Sequence, residues 1–312
     1  MDIEIDTLNF INMFKKDNPV APIDSEGRII ISGMGGSGIS GMIVSNLYEV
    51  EGGKQVVSWN NYELPNWINS KDYVICISYS GNTAETISAA EKAIEIGCEI
   101  DIITTGGKLK EIGIKNKKDI TLIEMNHQPR AALPLLLKPL LYKIGFPNLD
   151  KQMKEISRIE IPQKKAKMIA KTIEGKIPCI YSNGIMRGVA YRWRCQIEEN
   201  AKQLAFTHEI PEMNHNEIVG WTLPNNQMSV ILIREANEKT QIKNRFEATK
   251  NVAWDGVEVI ECVAEGKTPL AKIISMIILG DLVSVELAKL NDVDPTPVDV
   301  IENLKKELDG KY

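Results

Sequence analysis

Short, unbroken apolar runs alternate with segments of helical periodicity through the first half of the chain. The runs fall at 28–32, 54–59, 73–78, 100–104 and 119–124, and helical patterns follow the first, third and fourth. Strands alternating with helices in this way predict a parallel sheet covered on both faces. The segment 83–97 repeats apolar residues at helical spacing and stops at Gly97. From 145 to 163, with Pro147, Asn148, Asp150 and Pro162, strand character fades and charge rises. The pattern then restarts: a strand at 177–182, a turn at Asn183-Gly184, a helix at 186–203, and strands at 228–233 and 256–263. A long apolar helix over 270–290 is interrupted near its middle by Gly280, and Asp294-Pro295 breaks the chain before a last helix at 298–308. The apolar surface of 270–290 exceeds what one sheet face needs, so it is expected either in a core or at a subunit or domain contact. The expected fold is α/β: two subdomains of related plan, 1–150 and 151–312, each a mainly parallel sheet flanked by helices.

Composition narrows the class. A chain of 312 residues exceeds the usual single-core size, and 43% hydrophobic with 25% charged residues is globular. A net charge of −5 without a basic stripe argues against nucleic acid as a partner. Five cysteines form no C-x-x-C pair, which suits free thiols in a reducing compartment. The acidic start MDIEIDTLNF lacks the regions of a signal peptide, and the apolar stretch 131–146 contains Lys138, Lys143 and two prolines. A cytoplasmic protein without membrane association is expected.

Two loops carry candidate chemistry. The run VICISYSGNTAET over 74–86 ends a buried strand in a loop bearing the hydroxyls of Ser78, Ser80 and Thr83, with Gly81 allowing close backbone approach. One hydroxyl caps a helix; three in one loop, ahead of a helix N-terminus, suit a phosphate group without any lysine or arginine. The earlier loop Gly33-Met34-Gly35-Gly36-Ser37-Gly38 matches G-x-G-x-x-G, the dinucleotide fingerprint. That fingerprint requires an acidic residue closing the second strand, and here the strand runs into Asn60-Asn61. A dehydrogenase is therefore the weaker reading.

Ionisable candidates lie further on. Glu198 and Glu199 are adjacent on a predicted helix, so their side chains point about 100° apart and at most one faces a given cleft. A solvated helix end is the ordinary alternative. His215, between Asn214 and Asn216 in a turn-like segment, is a candidate for proton traffic or a plain surface histidine. Arg130 opens the apolar stretch and could hold an oxyanion or form an interface salt bridge. Lys305 and Lys306 read as solvated face. His208, Glu209 and His215 lack the H-E-x-x-H spacing, so no metal is expected.

Taken in order, these motifs form a resemblance. Gly35-Gly36-Ser37-Gly38 and Ser78 to Thr86 resemble the signature of sugar isomerase (SIS) domains, which bind phosphosugars. Arg130 ahead of Ala-Leu-Pro, Glu199-Asn200-x-Lys202, Asn214-His215-Asn216 and Asp294-Pro295-Thr296-Pro297 resemble the bifunctional phosphoglucose/phosphomannose isomerases, from about residue 25 onward. The resemblance implies two SIS-type subdomains and metal-free, cofactor-free interconversion of fructose 6-phosphate with glucose and mannose 6-phosphates. It implies Glu199 as the base between C1 and C2, and Arg130 as the group stabilising a cis-enediolate. His215 from a neighbouring subunit and Lys305 would act at the ring oxygen. Gly36, Ser37, Ser78, Ser80 and Thr83 would hold the phosphate. A homodimer with shared active sites follows from the same resemblance. The alternatives are an isomerase of another phosphosugar, heptose or amino sugar, or a non-catalytic phosphosugar-sensing module. Such modules carry a fused partner segment, for which this length leaves no room.

Overall fold

Two helices that the periodicity left unassigned open the computed structural model, which describes residues 2–16, 20–223 and 226–308. They are α1 (Ile3–Leu8) and α2 (Phe10–Lys15), whose Phe10, Met13 and Phe14 are buried. The first sheet follows, built from β1 (Ile29–Ser32), β2 (Val56–Trp59), β3 (Tyr73–Ser78), β4 (Glu99–Thr104) and β5 (Asp119–Leu122). Its helices are α3 (Gly35–Glu51), α4 (Ala84–Ile96), α5 (Gly107–Lys115) and α6 (Leu133–Lys143). All its strand pairs are parallel, in the order β2-β1-β3-β4-β5.

Two helices, α7 (Leu149–Ile156) and α8 (Gln163–Ile173), lead into the second sheet. It comprises β6 (Ile177–Ser182), β7 (Phe206–Glu209), β8 (Met228–Glu235) and β9 (Glu258–Ala264), parallel in the order β7-β6-β8-β9. Its helices are α9 (Arg187–Ala201), α10 (Thr240–Ala253), α11 (Pro269–Leu290) and the terminal α12 (Asp299–Leu308). The α/β class and the two parallel sheets agree with the sequence reading.

Strand alternation assigns the layers. Ile29 and Ile31 join Ile180 and Ile231 of the other sheet in one apolar core, filled between them by Ile43, Leu136, Trp193 and Ile277 of α3, α6, α9 and α11. Ile30 and Val74 face the opposite way, onto Ala89, Ala93 and Leu109 of α4 and α5. On the far side, Val230 and Leu232 meet Phe246 of α10. The two sheets thus share a central helical layer.

Several local expectations change. Gly35, Gly36 and Gly38 of the first loop lie in the opening of α3, which starts at Gly35. Gly280 does not interrupt α11: the helix is continuous, and every residue from Leu270 to Val285 is buried. A Cβ at Gly280 would lie 2.2 Å from Trp193 Nε1, so the glycine makes room for a neighbouring ring. The apolar surface of 270–290 is therefore used in the core. Strand β7, with the sequence FTHE, escaped notice because a short, half-exposed edge strand has no apolar run.

Candidate active site

The first sheet reverses its winding between β1 and β3, and ligands of open parallel sheets bind beyond the strand ends at such a switch point. Both chemically marked loops sit there. In the β3 loop, Ser78 Oγ accepts from Gly81 N at 3.0 Å and lies 2.8 Å from Thr83 Oγ1. Ser78 is buried, whereas Ser80 is exposed and its Oγ accepts from Asn82 N. The loop after β4 braces this one: Lys108 N donates to Asn82 Oδ1, Leu109 N to the Gly81 carbonyl and Thr105 Oγ1 to the Tyr79 carbonyl. Gly81 has φ +69°, and a Cβ there would meet the Gly106 carbonyl at 1.8 Å. Only glycine lets the two loops interlock.

The β1 loop touches the next part of the site. A Cβ on Gly36 would come 3.1 Å from the Pro129 carbonyl and 3.5 Å from Arg130 Cα, so the first turn of α3 lies against Arg130. Ser37, in the same turn, is 6% exposed. The segment before Arg130 is pinned from two sides. His127 N donates to Tyr79 Oη, and His127 Nδ1 lies 2.8 Å from Asp6 Oδ1 of α1.

Arg130 is almost wholly buried and held at several points. Its Nε donates to Asn200 Oδ1 at 2.7 Å, and Nη2 donates to the carbonyls of Pro295 and, at 2.9 Å, Thr296. Among the described residues Nη1 donates to nothing, which leaves one corner of the guanidinium for a ligand oxygen. Glu199 Oε2 stands 4.0 Å from Arg130 Nε. The adjacent carboxylates do diverge: Glu198 pairs with Arg194 one turn back at 3.2 Å, and Glu199 faces Arg130. Lys202, at the C-terminus of α9, donates to the carbonyls of Glu199 and Pro297. Lys202 and Arg130 together tie the 295–297 strap over the end of α9.

Electrostatics at Glu199 follow from this setting. Burial pushes its carboxyl above the ordinary carboxylate range, while Arg130, Arg192 and Lys202 pull it back and Glu198 adds to the rise. Its side chain remains 28% exposed, so a ligand can reach it. Burial lowers the Arg130 pKa while the Glu199 charge opposes that, so a buried cation stands beside a carboxyl that holds a proton more readily than a solvated one does.

The remaining sequence candidates are not drawn into this cluster. His215 is exposed in a single 3₁₀ turn after β7, and its imidazole pairs with no described residue. In a parallel sheet α9 runs back against the strands, so Glu199 lies at the opposite edge of the second sheet from His215. Lys305 projects from α12, an exposed helix without a buried residue. A cleft of about 670 Å³ between Val20, Pro22 and the ends of α6 and α7 shares no residue with the cluster.

Other residues of the site went unread in the sequence. Asn60, whose Nδ2 donates to the Gly33 carbonyl, and Tyr79, within the serine loop, took no role of their own from the sequence, since their partners are distant in the chain. Arg192 and Asp281 did carry a signal: an arginine at helical spacing from Asn200, and one aspartate in the middle of a long apolar stretch.

Comparison with known proteins covers both sheets. Residues 23–137 match the family model described as SIS domain, and residues 162–308 match the bacterial phospho-glucose isomerase C-terminal SIS domain. The chain is 36% identical to the bifunctional phosphoglucose/phosphomannose isomerase of Aquifex aeolicus over 309 residues, 96% of each chain. It is 34% identical to the protein of that name from Thermoplasma volcanium, over 98% of each. The fold is shared with the C-terminal domain of glucosamine-fructose-6-phosphate aminotransferase from Francisella tularensis, with TM-score 0.74, 13% identity, and coverage of 95% of this chain and 96% of that one.

Proposed function

This chain belongs to the bifunctional phosphoglucose/phosphomannose isomerase family, and from that premise we propose how its own residues perform the reaction. It is a phosphosugar isomerase. Its substrates on this reading are fructose 6-phosphate, glucose 6-phosphate and mannose 6-phosphate, taken without metal or redox cofactor. Glu199 removes the proton from C2 of the open-chain aldose, or from C1 of the ketose, and returns it to the neighbouring carbon. Arg130 holds the oxygen that gains charge in the cis-enediolate. The observation that carries this reading is the 4.0 Å pair of Glu199 and Arg130, in which burial makes the carboxyl a better base than a solvated one.

The phosphate lies on the Gly36 backbone N–H and the hydroxyls of Ser37, Ser80 and Thr83, with Ser78 lining and shaping the turn. Binding energy from that remote group orients the reacting carbons. Ring opening falls to the partner subunit's His215 and to Lys305, in a homodimer of the cytoplasm. What supports a contribution in trans is the exposure of His215 at the sheet edge opposite Glu199. The chain divides near residue 150, in the first turn of α7.

Isomerisation of fructose 6-phosphate in EDTA, with glucose and mannose 6-phosphates quantified separately, tests the activity. Both products are expected. Glu199→Gln is expected to abolish turnover while leaving fructose 6-phosphate binding within about threefold. Retained turnover would assign the proton transfer to another carboxylate.

A further inference from the structure

The contact between α9 and α11 is apolar except for one stripe. Arg192, Gln196 and Asn200 stand at successive i, i+4 positions of α9, none more than 1% exposed. Facing them on α11 are Asp281 and Ser284, buried equally deeply. Arg192 Nε and Nη2 donate to the two carboxylate oxygens of Asp281 at 2.9 and 2.7 Å. The same Nη2 donates to the backbone carbonyl of Arg130 at 2.9 Å. Asn200 accepts from Arg130 Nε and donates through Nδ2 to Ser284 Oγ at 2.9 Å; Ser284 Oγ in turn donates to the Asp281 carbonyl. Both ends of Arg130, its main chain and its guanidinium, thus hang from the two ends of the α9 stripe, Arg192 and Asn200.

The geometry points to Arg192 and Asp281 as positioning residues for the isomerase reaction, a buried ion pair that sets where the Arg130 guanidinium stands relative to Glu199. This rests on the reading of Arg130 and Glu199 given above. Neither residue is a catalytic group, since at 0% and 2% side-chain exposure neither reaches substrate. Stability alone does not account for the pair. Burying two charges between Leu, Ile, Val and Trp side chains costs desolvation that apolar residues of similar size avoid, so such a pair is commonly neutral or unfavourable for stability. What it supplies is direction: a bidentate, planar contact fixes the arginine's fork in two dimensions and leaves the second proton of Nη2 aimed at Arg130. Misplacement of a reacting group by about 1 Å can cost ~100-fold in rate.

The test is steady-state kinetics with fructose 6-phosphate on Asp281→Asn, on Arg192→Lys, and on the apolar double variant Arg192→Met with Asp281→Leu, each with a thermal melt. The double variant removes both charges together and guards against a misfolded single variant that retains one unpaired charge. The expected result in the folded variants is a kcat lowered about tenfold or more with KM within about threefold. In an Arg130→Lys background the Asp281→Asn substitution should add little, because its effect passes through Arg130. An unchanged kcat with a lowered melting temperature, or a loss fully additive with Arg130→Lys, overturns the inference. If Arg130→Lys and Glu199→Gln themselves turn over like the parent, it is the active-site reading that has failed.

Discussion

At the scale of single residues, the proposed base is a carboxyl whose affinity for a proton is set by burial against three cations. Arg130, Arg192 and Lys202 lower the Glu199 pKa while burial and Glu198 raise it, and burial is the largest effect. A base is active when deprotonated, so kcat/KM should be full above this pKa and fall as pH drops through it. That limb is expected above the ordinary carboxylate range. Arg130→Gln, which deletes the strongest of the opposing charges, should move the limb to higher pH besides lowering kcat. A limb that stays in place would identify another titrating group. The serine loop separates by the same logic. Ser80 is exposed and free to meet phosphate, so Ser80→Ala should raise KM and spare kcat. Ser78→Ala removes one of the two acceptors of the Gly81 N–H, leaving the Ser78 carbonyl at 3.2 Å, together with the partner of Thr83 Oγ1, and should cost about 1 kcal/mol of stability as well.

At the scale of elements, the site depends on close approaches that only missing side chains permit. Helix α11 lets Trp193 of α9 sit over Gly280, where the indole Nε1–H reaches the Met276 carbonyl at 2.7 Å. Gly280→Ala would force a buried ring or a helix to move, although alanine is the better helix former. The expected loss is on the order of 2 kcal/mol or more in urea unfolding, against a change near zero for Gly220→Ala, where a Cβ meets open space. Equal stabilities would show that the α9–α11 contact relaxes freely. Such relaxation would also release the Arg192–Asp281 pair from its register.

At the scale of the whole molecule, two units of one plan have diverged in use. The first sheet offers hydroxyls and glycines at its switch point. The second contributes the end of α9, which lies against Arg130, and leaves His215 and α12 outward. Helix α12 exposes Val300, Ile301 and Leu304 on the element that carries Lys305. If His215 acts across a dimer, mixing inactive Glu199→Gln and His215→Ala proteins under subunit exchange should restore activity. One of two sites in each mixed dimer is then intact, giving roughly a quarter of the parental rate for random pairing in a two-fold dimer. No recovery would place His215 in its own protomer's site or outside catalysis.

Local pattern alone determined the parallel strands, the hydroxyl-rich loop after β3, the glycine stop at Gly97 and the separation of Glu198 from Glu199, because each depends on neighbours within a turn or a strand. It also supplied Arg130 and Glu199 as candidates, but not their meeting: they lie on different subdomains, and only folding brings them within 4.0 Å. The same holds for the role of Gly280, which looks like a helix break until Trp193 is seen above it. Edge strand β7 stayed hidden because the sheet, and not its own residues, makes it a strand. Tertiary structure alone decided which polar residues the core would bury, since a lone Asp281 or Arg192 is unfavourable there until the other arrives from across the helix pair.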